Sequence, residues 1–308
     1  MAHWLAVVFS FLLGFIPAAL YAPSGGGYTS PSAPGEATVL IGGDVMFDRF
    51  IRKKVDAQGG DFIFSCIDSV LTDADLVVAN LEGPITSNES ISASSTVGSA
   101  ENMTFTFPTN TAQLLKRHHI DLVNIGNNHI MNFSRAGLLE TKKWLDEAGV
   151  QYVGDPDAPE AERVAHRDVH SIPFAFVNWS DWTSDKTDHT VAQVRTEKEA
   201  GYVVVVYTHW GDEYVPPPER VRQLAHSFVD AGAAIVVGSH PHIVQEHEQY
   251  HGADIYYSLG NLIFDQYWND DVRNGLLLRV TFTKDGVKTI HEIPTRLETD
   301  GRVCLKTS

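Results

Sequence analysis

Five times along the chain a run of mostly apolar, β-favouring residues ends in a short knot of Asp, Glu, Asn or His. The runs are TVLIGGDVMFD (38–48), DLVVANLEGP (75–84), DLVNIGNNH (121–129), YVVVVYTHWGDE (202–213) and AAIVVGSHPH (233–242). Segments with helical spacing separate most of them, at 61–72, 111–119, 134–149 and 217–232. Strands alternating with helices build a layered α/β fold, in which the loops at the carboxyl ends of the strands lie side by side. Five polar knots at five such ends therefore describe a single site. Their residue types are the oxygen and imidazole ligands of divalent metals.

Local signals add detail to this alternation. Ser134 is placed to cap the helix over 134–149 and Gly149 to end it, and prolines precede the helix over 217–232 before Gly232 closes it. Two β-type runs flank His170-Ser171 and predict a hairpin over 163–178. Beyond His242 the pattern turns to alternating strands, IYYSLGNLIF, GLLLRVTF and VKTIHEI, with Lys284-Asp285-Gly286 as a hairpin turn. The expectation is an α/β sandwich of two sheets around one continuous core. The Ser/Thr-rich segment 86–104 reads as a long surface loop beside the site, a lid or substrate wall.

From Trp4 to Ala22 the chain is almost uninterruptedly apolar, and a Gly/Ser/Pro-rich stretch follows over 23–37. That reads as a signal peptide or membrane anchor (1–22) and a linker, ahead of one domain over 38–308. The predicted location is exported, either secreted or anchored, on the extracytoplasmic face. A formal net charge of −16 argues against a nucleic-acid surface, which needs clustered Lys and Arg. An oxidising compartment permits Cys66 and Cys304 to pair, but two separate thiols is the simpler expectation, and neither has a Cys-x-x-Cys partner for a thiolate metal site. The histidine pairs His118-His119 and His247/His251 lack the strand-end setting and are expected at the surface.

Each knot offers specific groups. Asp44 follows two glycines that allow a tight backbone turn, and is a candidate hard ligand. Asn80 and Glu82, two apart on extended chain, address one centre, with Glu82 able to bridge two cations or serve one. In Asn127-Asn128-His129 the assignments are ligation to Asn128 and acid catalysis to His129. His209 stands at the mouth of a buried strand, where an imidazole is costly without a partner or metal, and Asp212 and Glu213 behind it are expected to orient neighbours. His240 and His242 form the strongest single signal, two imidazoles in i, i+2 relation with Pro241 stiffening the backbone between them.

The ordered set GDVMFDR, NLEGP, NNH, HWGDEY, GSHPHIVQ and YSLGNLIFDQ resembles the CapA-type poly-γ-glutamate capsule biosynthesis family, a branch of the calcineurin-like metallophosphoesterase superfamily. The resemblance spans about 38–268. It implies a four-layer α/β sandwich, two mixed β-sheets flanked by helices, with a dinuclear metal centre. It implies as ligands Asp44, Glu82, Asn128, His209, His240 and His242, with His129 in the Asn-His motif. Asn80, Asn261 and Asp265 line the expected site.

Two departures qualify what the resemblance implies. Ordinary metallophosphoesterases carry Asp-x-His at the first motif, whereas this chain has Asp44-Val45-Met46, and a thioether is a poor ligand for Mn, Zn or Fe. Asn132 follows His129 where the capsule family commonly shows Asp, so a carboxylate that would orient the imidazole is absent there. The expected cofactor is one or two divalent ions of Mn, Zn, Fe or Mg. The expected function is extracytoplasmic capsule biosynthesis or processing by a metal-dependent hydrolase or transferase, with a phosphoester or anionic-polymer substrate and a membrane capsule-synthesis complex as partner. The alternative is a non-catalytic module that holds the polymer at an export complex.

Overall fold

The computed structural model describes residues 32–159, 163–183 and 187–306. The predicted signal or anchor segment and the start of the linker lie outside these residues. Among the described residues no helix is long and apolar enough to cross a membrane.

The first half runs β1 (Ala37–Val45), α1 (Arg49–Gln58), α2 (Asp61–Phe64), α3 (Asp68–Thr72), β2 (Leu76–Leu81), α4 (Thr111–Arg117), β3 (Ile120–Asn124), α5 (Ser134–Ala148) and β4 (Gln151–Val153). The second runs β5 (Val164–Val169), β6 (Ile172–Ser180), α6 (Thr187–Glu199), β7 (Val203–His209), α7 (Glu219–Ala231), β8 (Ile235–Ser239), β9 (His247–Tyr250) and β10 (Ala253–Tyr256). The tail supplies β11 (Asn261–Ile263), α8 (Asp270–Arg273), β12 (Asn274–Thr283), β13 (Gly286–Leu297) and β14 (Val303–Leu305).

These strands form two mixed sheets. One is ordered β14-β13-β12-β1-β2-β3-β4, with β11 also pairing β1, and the other β5-β6-β7-β8-β10-β9. Strands β1 to β4 are mutually parallel, as are β6, β7, β8 and β10. Beyond His242, β9 and β10 join the second sheet and β11 to β14 the first.

Strand periodicity explains the layering. Val39 and Ile41 of β1, Val78 of β2 and Leu122 of β3 meet Phe174, Phe176, Val205 and Tyr207 of the other sheet. Their alternates face outward. Leu40 and Val77 pack under Ile51, Leu114, Leu115, Leu138 and Leu145, while Val204, Val206 and Val236 pack under Val221, Leu224 and Phe228. The valine run of β7 is buried on both faces, as a central parallel strand requires. The expected continuous core is thus three cores in a helix, sheet, sheet, helix stack, because each sheet must cover two apolar faces.

Several local expectations change. Gly42 and Gly43 do not end the strand; β1 continues through them with a bulge in its pairing to β2, and a Cβ at Gly43 would meet the Gly260 carbonyl at 1.9 Å. Ser134 makes no capping bond at the start of α5, whereas Gly149 ends it in the left-handed region. Cys66 and Cys304 form a disulfide, correcting the expectation of separate thiols, because β14 runs beside the turn that carries Cys66. His118 is buried, stacked on Phe64 at 4.1 Å between Asp68 (2.6 Å) and Asp61 (3.0 Å). Helical position and two carboxylates override its surface-like sequence context.

Candidate metal centre

The polar knots converge where β1, β2, β3, β7 and β8 end. Asp44 and Asn80 pair across β1 and β2, Glu82 follows β2, Asn128 and His129 follow β3, His209 ends β7, and His240 and His242 follow β8. Asp44, Glu82, His209 and His242 are almost wholly buried, and His129 and His240 nearly so. So dense a set of buried ionisable groups is costly unless something compensates it.

Glu82, His240 and His242 offer ligand atoms within 4.8 Å of one another. Glu82 Oε1 and His240 Nδ1 are buried without a hydrogen-bond partner. The third ligand atom follows from the hydrogen-bond pattern. Asn261 directs its amide nitrogen to the Val272 carbonyl (2.9 Å) and Gln266 Oε1 (3.0 Å), which turns its oxygen toward His242 Nδ1 at 2.9 Å. That nitrogen donates, so His242 Nε2 is left with a lone pair, 3.5 Å from Glu82 Oε1. Asp44 Oδ2 lies 3.3 Å from His242 Nδ1 and accepts the backbone N–H of His240 at 3.2 Å. The donor set, two carboxylates and two neutral imidazoles, suits a divalent cation.

A second group adjoins it. His209 Nδ1 lies 2.9 Å from Ser239 Oγ, whose own hydrogen goes to the Thr208 carbonyl at 2.8 Å. Asn80 also points its amide nitrogen at Nδ1 from 3.3 Å, and on the far side of the ring Nε2 lies 2.8 Å from Asn128 Oδ1. Imidazole nitrogen and amide oxygen are both metal-ligand types, so this pair adjoins the first cluster as a second candidate group. The His240 ring stands 4.9 Å from that of His209.

Burial, then the charge of Asp44, raises the Glu82 carboxyl well above the ordinary range. Burial, then the His240 charge, holds His209 well below the usual imidazole value, while burial and then His242 lower His240 to about 4. Carboxyl and imidazole alike are pushed toward neutrality; a dication would reverse that tendency at the carboxyl and reinforce it at the imidazoles, which bind metal in their neutral form.

The expected i, i+2 geometry of the final pair needs correction. His240 and His242 do not lie on extended chain; both adopt left-handed backbone, with φ of 96° and 57°. Such strain in non-glycine residues costs on the order of 1–3 kcal/mol each and persists only where the surroundings enforce it. Met46, at the ligand-poor position of the first motif, is buried in the core beneath α1, and its sulfur accepts the Asp48 N–H at 2.9 Å.

The remaining predicted residues take varied places. Asn80 directs its nitrogen to Asp44 Oδ1 (2.8 Å). His129 stands with Nε2 4.0 Å from Glu82 Oε1. Glu213 is half-buried and its charge reaches Glu82, whereas Asp212 is exposed and its charge acts on Arg220. Asp265 pairs with Arg49 and accepts the Phe50 N–H at 3.1 Å.

Sequence reading missed the supports. Asn178 donates to Asn124 Oδ1 (2.7 Å) and Asn124 to Asn80 Oδ1 (2.8 Å), an amide relay through buried groups to Asp44. The relay is satisfied at Asn124 and Asn80, whereas Asn178 Oδ1 at its outer end is buried without a hydrogen-bond partner. An asparagine inside each apolar strand, DLVN and FAFVN, was the available signal. Arg49 packs its guanidinium over Phe105 and Phe264, and its positive field reaches both Glu82 and His129. Trp182 covers His240 at 4.2 Å; nothing in its sequence context marked it.

Known proteins resemble much of the chain. The PGA biosynthesis protein CapA of Bacillus subtilis is 29% identical over 272 residues, covering 82% of this chain and 69% of its own length. The capsule biosynthesis protein CapA of Bacillus anthracis is 27% identical over 281 residues, covering 85% and 67%. A probable polyglutamine synthesis accessory protein of Mycobacterium tuberculosis is 30% identical over 169 residues, covering 46% and 44%. Residues 38–266 match the family described as Bacterial capsule synthesis protein PGA_cap, and with all five polar knots inside that span the chain belongs to this family.

Proposed function

We propose that the chain is an extracytoplasmic, metal-dependent hydrolase or transferase of poly-γ-glutamate capsule synthesis or processing, acting on a phosphoester or γ-glutamyl substrate beside membrane partners. The observation that carries this reading is the buried convergence of Glu82, His240 and His242, with Glu82 Oε1 and His240 Nδ1 unpartnered. A divalent cation held there, one or two in number, would polarise a phosphoryl or acyl oxygen and supply water of lowered pKa. Asp44, Glu82, His240 and His242 would hold it, with Asn128 and His209 adjoining. Asn261 and Asn80 fix the orientation of His242 and Asp44. Phe105 and Trp182 restrict water beside His129 and His240. Arg49, paired with Asp265, stands close enough for its charge to act on Glu82 and His129.

The scaffold reading draws support from Met46, whose sulfur is spent on the Asp48 N–H and leaves the first motif one ligand short. The two readings part on turnover. Under the enzyme reading the full chain, supplied with divalent metal, cleaves a model phosphodiester or a γ-glutamyl polymer, and His129→Ala reduces the rate by roughly 10²-fold or more, the scale of one donor aimed at developing negative charge. Equal background rates for both proteins, together with retained polymer binding, would reject the enzyme reading in favour of the scaffold.

A further inference from the structure

Asn132 lies three residues beyond His129, and its side-chain nitrogen has two neighbours, the Met103 carbonyl at 2.9 Å and His129 Nδ1 at 3.2 Å. An amide nitrogen only donates. Turning the amide over would set its oxygen against the Met103 carbonyl, two acceptors at hydrogen-bond distance. The carbonyl therefore fixes the amide, and the amide fixes Nδ1 as an acceptor. A neutral imidazole carries one N–H, so the proton resides on Nε2.

The rest of the pocket holds that ring in place. The backbone N–H groups of His129 and Ile130 both donate to Asn127 Oδ1, at 3.1 and 3.0 Å, and Phe105 covers the imidazole at 4.3 Å. Nε2 looks toward Glu82 Oε1 across 4.0 Å, too long for a hydrogen bond. A ring with its proton on Nε2 has no lone pair there for a metal. That agrees with a cluster drawn from Glu82, His240 and His242 without it. A carboxylate at position 132 would do the reverse, accepting from Nδ1–H and leaving Nε2 as a base.

We infer that Asn132 is a positioning residue that holds neutral His129 as a fixed Nε2–H donor, so that the ring meets an anionic substrate oxygen, phosphoryl or carboxyl, through a hydrogen bond and not as a base. The inference deepens the reading given under Proposed function and rests on it for the ligand, but the tautomer can be measured without any activity. The segment ending at Met103 becomes part of the site, since its carbonyl orients the amide.

The test is nitrogen NMR of the full chain labelled with 15N-histidine, after chelation and again after loading with diamagnetic Zn2+. The expected result for wild type is an unprotonated-type shift at His129 Nδ1 and an N–H-type shift at Nε2, reversed in Asn132→Asp and mixed in Asn132→Ala. A wild-type ring protonated at Nδ1 overturns the inference whether or not either variant folds. Addition of inorganic phosphate and, separately, of a γ-glutamyl peptide should displace the Nε2–H resonance in at least one arm, which identifies the source of the oxygen. A resonance unmoved at saturating concentrations of both overturns the donor role. A chain that cleaves nothing yet shows the Nε2–H tautomer and its displacement would uphold this inference while rejecting the hydrolase; the opposite pattern would do the opposite.

Discussion

Asn261→Ala tests whether His242 is aimed by its hydrogen bond. Asn261 is 1% exposed and serves the buried ring nitrogen of His242 at 2.9 Å, the Val272 carbonyl at 2.9 Å and Gln266 Oε1 at 3.0 Å. Gln266 can find another partner by rotating and the ring N–H keeps Asp44 Oδ2 at 3.3 Å, but the Val272 carbonyl has no replacement. One orphaned group gives a loss of about 1–3 kcal/mol. For a chain of this size that lowers Tm by roughly 2–8 °C. Freed to turn over, the ring no longer presents Nε2 reliably, and a lost orienting contact of this kind weakens metal binding about 10–100-fold. Thermal unfolding with and without chelator, combined with competition against a metal-sensitive dye, separates the two effects. A metal affinity within threefold of wild type would refute the orienting role even if Tm fell.

Asp48→Ala should release the 86–104 segment. Asp48 is buried and accepts from Ser90 Oγ (2.6 Å), Ser92 Oγ (2.8 Å), the Thr106 N–H (2.8 Å) and Arg52 Nε (2.9 Å). Breaking such a buried pair costs about 3–5 kcal/mol, and limited proteolysis should show new cleavage between 86 and 104; an unchanged digestion pattern would count against the anchor. Cys66→Ser removes a link spanning 238 residues, and stability should fall by roughly 2–5 kcal/mol, matched by reduction of the wild type. Equal denaturant midpoints for oxidised and reduced protein would contradict this. In the chelated protein His240 is lowered to about 4 and His129 to about 3, chiefly by burial, against about 6.5 when unfolded. The unfolded chain binds the extra protons, so this contribution is intact above pH 6.5 and is lost as pH falls toward 4 and then 3. Flat stability from pH 7 to 4 would show that those imidazoles are not held neutral.

The layered α/β architecture and the strand ends bearing Asp44, Glu82, His129, His209 and His240 were legible because period-2 burial and strand-end polarity are local properties of a sequence. The disulfide was not, since pairing Cys66 with Cys304 depends on β14 arriving beside α2, a fact of sheet order. Nor was the left-handed backbone at His240 and His242; Pro241 suggested stiffness but not its direction. His118 was misplaced because two carboxylates distant in sequence make its burial tolerable. Asn124 and Asn178 looked like interruptions of apolar strands, and only their stacking across both sheets reveals a relay beneath Asp44. Arg49 belonged to a motif that was read for Asp44 and Met46. Its importance comes from Phe105 and Phe264, which arrive from distant segments.

The most direct measurement is elemental analysis of the purified full chain beside His242→Ala and Asp44→Ala, each checked for folding by circular dichroism. Because truncating a ligand leaves its coordination position unfilled, wild type should carry roughly one to two equivalents of divalent metal and each folded variant clearly less. Wild type free of metal after loading, or full occupancy in both folded variants, would show that the converging strand ends are not a metal centre.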